Sequence, residues 1–133
     1  MDNLYKNLLE QAKKASELSY SPYSKFPVGA CVLFESEKTY SSCNIENASY
    51  GLSICAERNA ITKALSEGEN TKITAIAIYS PKQKKCMPCG ACRQWISEFA
   101  LSGDVKIIIE NNAGEVEILT LDEIFPYSFK IDE

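Results

Sequence analysis

Two cysteine-bearing stretches, Cys55-Ala56-Glu57 and Pro88-Cys89-Gly90-Ala91-Cys92, stand about thirty residues apart, and each opens a segment of helical periodicity. A fold that uses them together has to set the mouths of two separate helices side by side. Cys89 and Cys92 are three positions apart, so a helical start places them on one face. Side chains in a first turn tilt back towards the N-terminus, so Cys55 on another helix can meet them at one metal ion. The positive ends of both helix dipoles favour the thiolate forms. Glu57 lies roughly 200° around its helix from Cys55, so the two cannot share a lateral stripe. They can still reach a common point beyond the helix end, which suits a glutamate that is not a ligand but works beside one.

The chain has six cysteines and no histidine. The missing histidine removes every mechanism built on a histidine base, including Ser-His-Asp and Cys-His nucleophile systems. Any zinc site is therefore thiolate- or carboxylate-based. In a chain of 133 residues, long enough to build a core, so many cysteines point to metal or catalysis rather than to a disulfide scaffold. A catalytic zinc keeps three protein ligands and leaves its fourth position open, whereas a structural zinc is closed by four.

The net charge of −4 and a pI near 5.0 argue against a nucleic-acid partner, which calls for a basic stripe. The densest basic run, Lys82 to Lys85, reads as a solvated loop. No apolar run reaches the roughly 18 residues of a membrane span. Asp2, Lys6 and Glu10 interrupt the leucines of the N-terminus, unlike the apolar core of a signal peptide. A cytoplasmic location is expected.

Leu4, Leu8, Ala12 and Ala15 predict an amphipathic helix over roughly 3–19, ended by Ser21-Pro22-Tyr23. Val28 to Phe34 and Thr39 to Cys43 predict a hairpin, and 44–54 an irregular loop. A second helix is expected over Cys55 to Ser66 and a third over Cys89 to Phe99. Ile73 to Tyr79, Val105 to Glu110 and Glu115 to Leu119 read as strands, with a short helix near Leu121 to Ile124. Strands alternating with helices predict an α/β layered sheet. With no repeat, low-complexity tract or linker, one domain over 1–133 is expected.

Four ordered stretches carry a resemblance: Phe26-Pro27-Val28-Gly29-Ala30, Cys43-Asn44-Ile45-Glu46-Asn47-Ala48, Cys55-Ala56-Glu57-Arg58 and Pro88-Cys89-Gly90-Ala91-Cys92-Arg93-Gln94. Together they resemble the small, homotetrameric cytidine deaminases, whose zinc-site signature has the form (His or Cys)-x-Glu…Pro-Cys-x-x-Cys. The resemblance implies a three-layer α/β/α fold with a mixed, mostly five-stranded sheet and helices on both faces. It implies zinc held by Cys55, Cys89 and Cys92, with Glu57 as proton shuttle. It implies hydrolysis of cytidine and deoxycytidine to uridine and deoxyuridine with loss of ammonia, in pyrimidine salvage.

By the same resemblance Arg58 donates to the ligand sulfurs and offsets their charge, and Gln94 is similarly placed. Asn44 and Glu46 hydrogen-bond the ribose hydroxyls, Phe26 packs on the pyrimidine and the backbone at Ala56 reads the base edge. Tyr50 and Phe129 resemble aromatic residues that reach a neighbouring subunit's site. Cys31 and Cys43 fall in expected strands as small buried residues. Cys86 is the departure, because Cys86-x-x-Cys89 is itself a ligand spacing and a fourth thiolate would close the site. Three other readings stay open on the residues: deamination of a different small substrate such as a blasticidin-like antibiotic, a structural zinc module, and a redox Cys-x-x-Cys protein.

Overall fold

The computed structural model describes residues 2–131; Met1, Asp132 and Glu133, part of the expected 1–133 domain, lie outside them. Ten elements follow in chain order: α1 (Asp2–Ser16), β1 (Gly29–Phe34), β2 (Thr39–Cys43), a 3-10 turn (Tyr50–Leu52), α2 (Ala56–Ser66), β3 (Ile73–Tyr79), α3 (Gly90–Phe99), β4 (Lys106–Glu110), β5 (Val116–Thr120) and α4 (Leu121–Ile124). The five strands form one mixed sheet in the order β2-β1-β3-β4-β5. Only β3 and β4 run parallel, and α3 makes the crossover between them.

Strand alternation divides the core into two layers. Ala30, Val32, Ile76, Ile78, Ile107 and Ile109 face α2 and α3, meeting Ala56, Ala60, Ala64 and Ile96. Cys31, Ala75, Ala77 and Ile108 face the other way, against Tyr5, Leu8, Leu9 and Ala12 of α1. Helices on both faces of a five-stranded sheet give the three-layer α/β/α arrangement that the resemblance implied. Small residues on the α1 side let that helix sit close. A Cβ on Gly29 would lie 1.9 Å from the Ala12 carbonyl oxygen, so only glycine fits there.

Two details differ from the expectation for α1. The helix stops at Ser16 rather than near residue 19. Glu17, Leu18 and Ser19 donate backbone N–H bonds three residues back, a tightened 3-10 turn that ends the helix well before the proline. Leu4 is exposed, and Tyr5 and Leu9 take the buried face instead. Cys31 and Cys43 are buried on their strands, as expected.

A buried carboxylate ties the far end of the sheet together. Glu69, on the connection from α2 to β3, accepts from Ser36 Oγ at 2.8 Å and Tyr40 Oη at 2.9 Å. Its other oxygen accepts from Thr71 N and Thr71 Oγ1. These hydroxyls, led by that of Thr71, hold its pKa down to about 2 from an ordinary 4.5. A depressed carboxylate pKa stabilises the fold fully above the unfolded value and ceases to do so as pH falls through the folded one. Glu69→Gln should therefore unfold more readily than the wild type at pH 6, and the difference should shrink between pH 4.5 and pH 2. Denaturant unfolding at stepped pH checks this; a constant difference across that window would remove Glu69 as its source.

Candidate active site

The carboxyl ends of the parallel strands β3 and β4 are where an open α/β sheet presents ligand sites. The long loop after β3 ends in α3 there, and α2 starts beside it. Cys55 and Cys89 are the N-cap residues of α2 and α3, each with extended backbone and neither using its side chain to cap. Their sulfurs are left free to face one another, and Cys92 joins them from the first turn of α3. Cys55 Sγ lies 3.8 Å from Cys89 Sγ, and Cys89 Sγ lies 3.4 Å from Cys92 Sγ. All three ligand atoms fall within 4.8 Å of one another.

This set fits zinc. Sulfurs about 2.3 Å from a tetrahedral zinc stand about 3.8 Å apart. Cys86 is outside the cluster, so the described residues offer three thiols and not the four of a closed structural site. Cys86 is instead half-buried, and burial pushes its thiol up to about 11.

Charge is managed from α2. Arg58 Nη2 lies 3.8 Å from Cys55 Sγ and 3.4 Å from the Ser53 carbonyl oxygen. Its Nε is buried with no partner, a donor in reserve beside a cluster that gains negative charge on ionising. The bonds from Cys92 and then Arg58 hold the Cys55 thiol down at about 5. Gln94 does not share this role within one chain. It lies two positions beyond Cys92, on another side of α3, and its Nε2 donates to the Phe129 carbonyl oxygen at 3.2 Å.

A cavity of about 230 Å³ opens on the sulfurs. Cys55, Cys89, Ala56 and Glu57 form one side, Phe26 and Asn44 another. Glu57 is only 4% exposed, and burial first, then the nearby Cys55 charge, pushes its carboxyl up to about 7 against the usual 4.5. A carboxyl so poised both accepts and returns protons near neutral pH.

Glu46 lines a second cavity of about 340 Å³ with Tyr23, Ser24 and Tyr50. Tyr50 and Phe129 are exposed at 77% and 67%, and neither reaches the sulfur-lined cavity of its own chain. The Asn44 and Glu46 side chains are fixed by contacts that sequence reasoning missed. Asn44 Oδ1 accepts from Ser19 Oγ and Val28 N, and its Nδ2 donates to the Phe26 carbonyl oxygen at 2.9 Å. Glu46 accepts from Tyr23 N, Ser24 N and Ser24 Oγ. Arg93 was visible in its motif without a task; it donates to the carbonyl oxygens of Pro88 and Ile124, locking the turn before Cys89.

Fold and site together define a three-layer α/β protein with a three-thiol cluster able to hold a metal ion beside a buried glutamate. The family model described as the cytidine and deoxycytidylate deaminase zinc-binding region matches residues 2–109. Among curated relatives, the cytidine deaminase of Sporosarcina psychrophila is 41% identical over 126 residues, 95% of this chain and 91% of that protein. That of Halalkalibacterium halodurans is 40% identical over 126 residues, 95% and 94% of the two chains. The crystal structure of cytidine deaminase from Burkholderia pseudomallei superposes with a TM-score of 0.84 at 38% identity, covering 93% of this chain and 98% of that one. The chain belongs to the zinc-binding cytidine and deoxycytidylate deaminase family.

Purified protein should carry one zinc, lost in Cys89→Ser and kept in Cys86→Ser. Metal analysis of the two variants decides it, and a Cys86→Ser protein without zinc would overturn the three-ligand assignment. Arg58→Ala should weaken zinc binding about 10- to 100-fold, measured by competition with a chromogenic chelator.

Proposed function

We propose that this protein is a zinc-dependent deaminase that hydrolyses cytidine and deoxycytidine to uridine and deoxyuridine plus ammonia, in pyrimidine salvage. The observation that carries the reading is Glu57: a buried carboxyl two residues past Cys55, facing the cavity that the thiols open on. Zinc on Cys55, Cys89 and Cys92 supplies the Lewis acidity that makes water a nucleophile near neutral pH.

The chain's own residues do the rest. Glu57 takes a proton from the attacking water and passes it to pyrimidine N3 as the C4–O bond forms. It then takes the remaining proton from the new C4 hydroxyl and carries it to the 4-amino nitrogen; the C4–N bond breaks as the C4 carbonyl forms, and ammonia leaves. Phe26 packs on the ring, and the backbone at Ala56 reads the base edge. Asn44 Nδ2 keeps one hydrogen after its bond to Phe26, and one Glu46 oxygen keeps a free lone pair after Ser24. A sugar hydroxyl can accept from the first and donate to the second. Asn44 lines the sulfur-bearing cavity and Glu46 stands two residues further along the same segment, a placement that suits a base joined to a sugar.

The working unit is a homotetramer with sites near subunit boundaries. Tyr20, Ile45 and Ile54 are exposed and joined by isolated β-bridges, and Tyr50 and Leu52 are exposed beside them. That apolar surface borders the Glu46 cavity, where a neighbour's Tyr50 or Phe129 would complete the site. The protein works in the cytoplasm, a reading supported by six free cysteines, and among the described residues no helix is long and apolar enough to cross a membrane.

Incubation with cytidine should give uridine, followed by ultraviolet absorbance. Glu57→Gln should retain zinc and lose kcat by about 10²- to 10⁴-fold. An undiminished kcat would sink the role of Glu57, and wild-type protein that leaves cytidine untouched would sink the whole reading.

A further inference from the structure

We infer that Glu110, which touches neither the metal site nor the substrate cavity, is a positioning residue that holds the loop wall of that cavity in place. The inference rests on the reading of the site as a nucleoside deaminase. Residues 80–89 connect β3 to α3, and from this loop Gln83, Cys86 and Met87 line the cavity together with Phe26. The loop ends in Cys89, immediately after Pro88. Its inner face therefore borders substrate, and its end delivers a sulfur to the cluster.

The end of β4 holds two residues of this loop. Alternation turns Ile107 and Ile109 to the α2 and α3 face and Ile108 to the α1 face, so Glu110 follows Ile108 towards α1. Its carboxylate accepts from Lys84 Nζ of the loop and, at 3.2 Å, from Lys13 Nζ of α1. Lys13 Nζ also stands 5.3 Å from the ring centroid of Tyr79, the last residue before the loop region. The Glu110 backbone carbonyl accepts from Lys85 N at 2.8 Å.

Glu110 thus fixes two successive loop residues, one through its side chain and one through its main chain. The carboxylate is the buried member of the group, with the Glu110 side chain 10% exposed against 48% for Lys84. Lys84, ahead of Lys13, holds the Glu110 carboxyl below the ordinary glutamate value, so the group is ionised at neutral pH.

The loop needs such a hold. Lys85 adopts φ of 51°, a left-handed conformation that costs a non-glycine residue free energy unless surrounding contacts impose it. Those contacts are the bond to the Glu110 carbonyl and an ion pair of 3.5 Å with Glu117 on β5. Lys85 immediately precedes Cys86 and Met87, the two residues that line the cavity. Without the Glu110 carboxylate, Lys84 loses its anchor and the wall is free to relax outward.

The test uses the zinc-loaded enzyme. Glu110→Gln keeps the shape and removes the charge, and Lys84→Met removes one partner while leaving the bond between Glu110 and Lys13. Cys86 is the reporter. Cys55, Cys89 and Cys92 are protected by metal, and Cys31 and Cys43 are buried, so maleimide labelling reads the loop without any substrate. Both variants should keep one zinc, raise KM for cytidine about five- to tenfold with kcat within about twofold, and label Cys86 about tenfold faster. Glu110→Asp should recover part of both effects.

A fall in thermal stability alone, with wild-type KM and wild-type labelling, would overturn the inference. So would either effect without the other, since the loop and the substrate would then be unconnected. If the wild type leaves cytidine unchanged, the proposed function fails instead, and labelling by itself decides whether Glu110 holds the loop.

Discussion

Three sulfurs brought within 4.8 Å of one another set the terms for everything around them. Thiolates repel, and two helix mouths have to point at the same place despite that. The sheet supplies the platform, because α2 and α3 lie on one face over Val32, Ile76, Ile78 and Ile107, all fully or almost fully buried. Small residues at Ala56, Ala60 and Ala64 let α2 lie flat on that face. The charge is then met by the two positive helix ends and by Arg58, whose guanidinium reaches Cys55. Only with all of these in place does a cation have a site to enter rather than a repulsive cluster to assemble.

Glu57 adds a second cost on the same helix turn. A carboxyl this deeply buried disfavours its own ionisation, and the fold gains nothing from it that alanine would not give. What it gains is a group with a pKa of about 7 within the cavity, raised by burial first and then by the Cys55 charge. Glu69 makes the contrast. That carboxylate is also buried, but three hydroxyls and a backbone N–H satisfy it and drive its pKa to about 2. Glu69 is tied by four donors while burial dominates at Glu57, and the opposite pKa shifts follow from that difference.

Much of this is legible in the order of the residues. The strand over Ile73 to Tyr79 and the short helix over Leu121 to Ile124 fall where periodicity puts them, because long apolar runs and clear turn residues are local signals. The cysteine pairs are legible because helix geometry links residues three apart. Sequence does not show that α1 ends at Ser16, since the 3-10 turn there competes with a pattern that continues to residue 19. Nor does it show the tasks of Ser19, Ser24 or Arg93, whose partners lie 22 to 31 residues away in the chain. Cys86 is ambiguous for a related reason: a Cys-x-x-Cys spacing predicts a shared face only if both residues stand on a helix. Cys86 is in a loop, with Lys85 bent into the left-handed region before it, and the spacing loses its meaning.

The two faces of the sheet therefore do different work that meets at one loop. On one face, α2 and α3 carry the sulfurs and Glu57. On the other, α1 carries no group of the site, yet Lys13 reaches the end of β4 and joins Lys84 on Glu110. A ligand cavity bounded by a loop is only as well defined as the contacts behind that loop. Here those contacts are ionic and partly exposed, while the opposite wall stands on fully buried isoleucines. The cavity thus has one side built on the buried core and another, the loop carrying Gln83, Cys86 and Met87, that is held from behind by ion pairs.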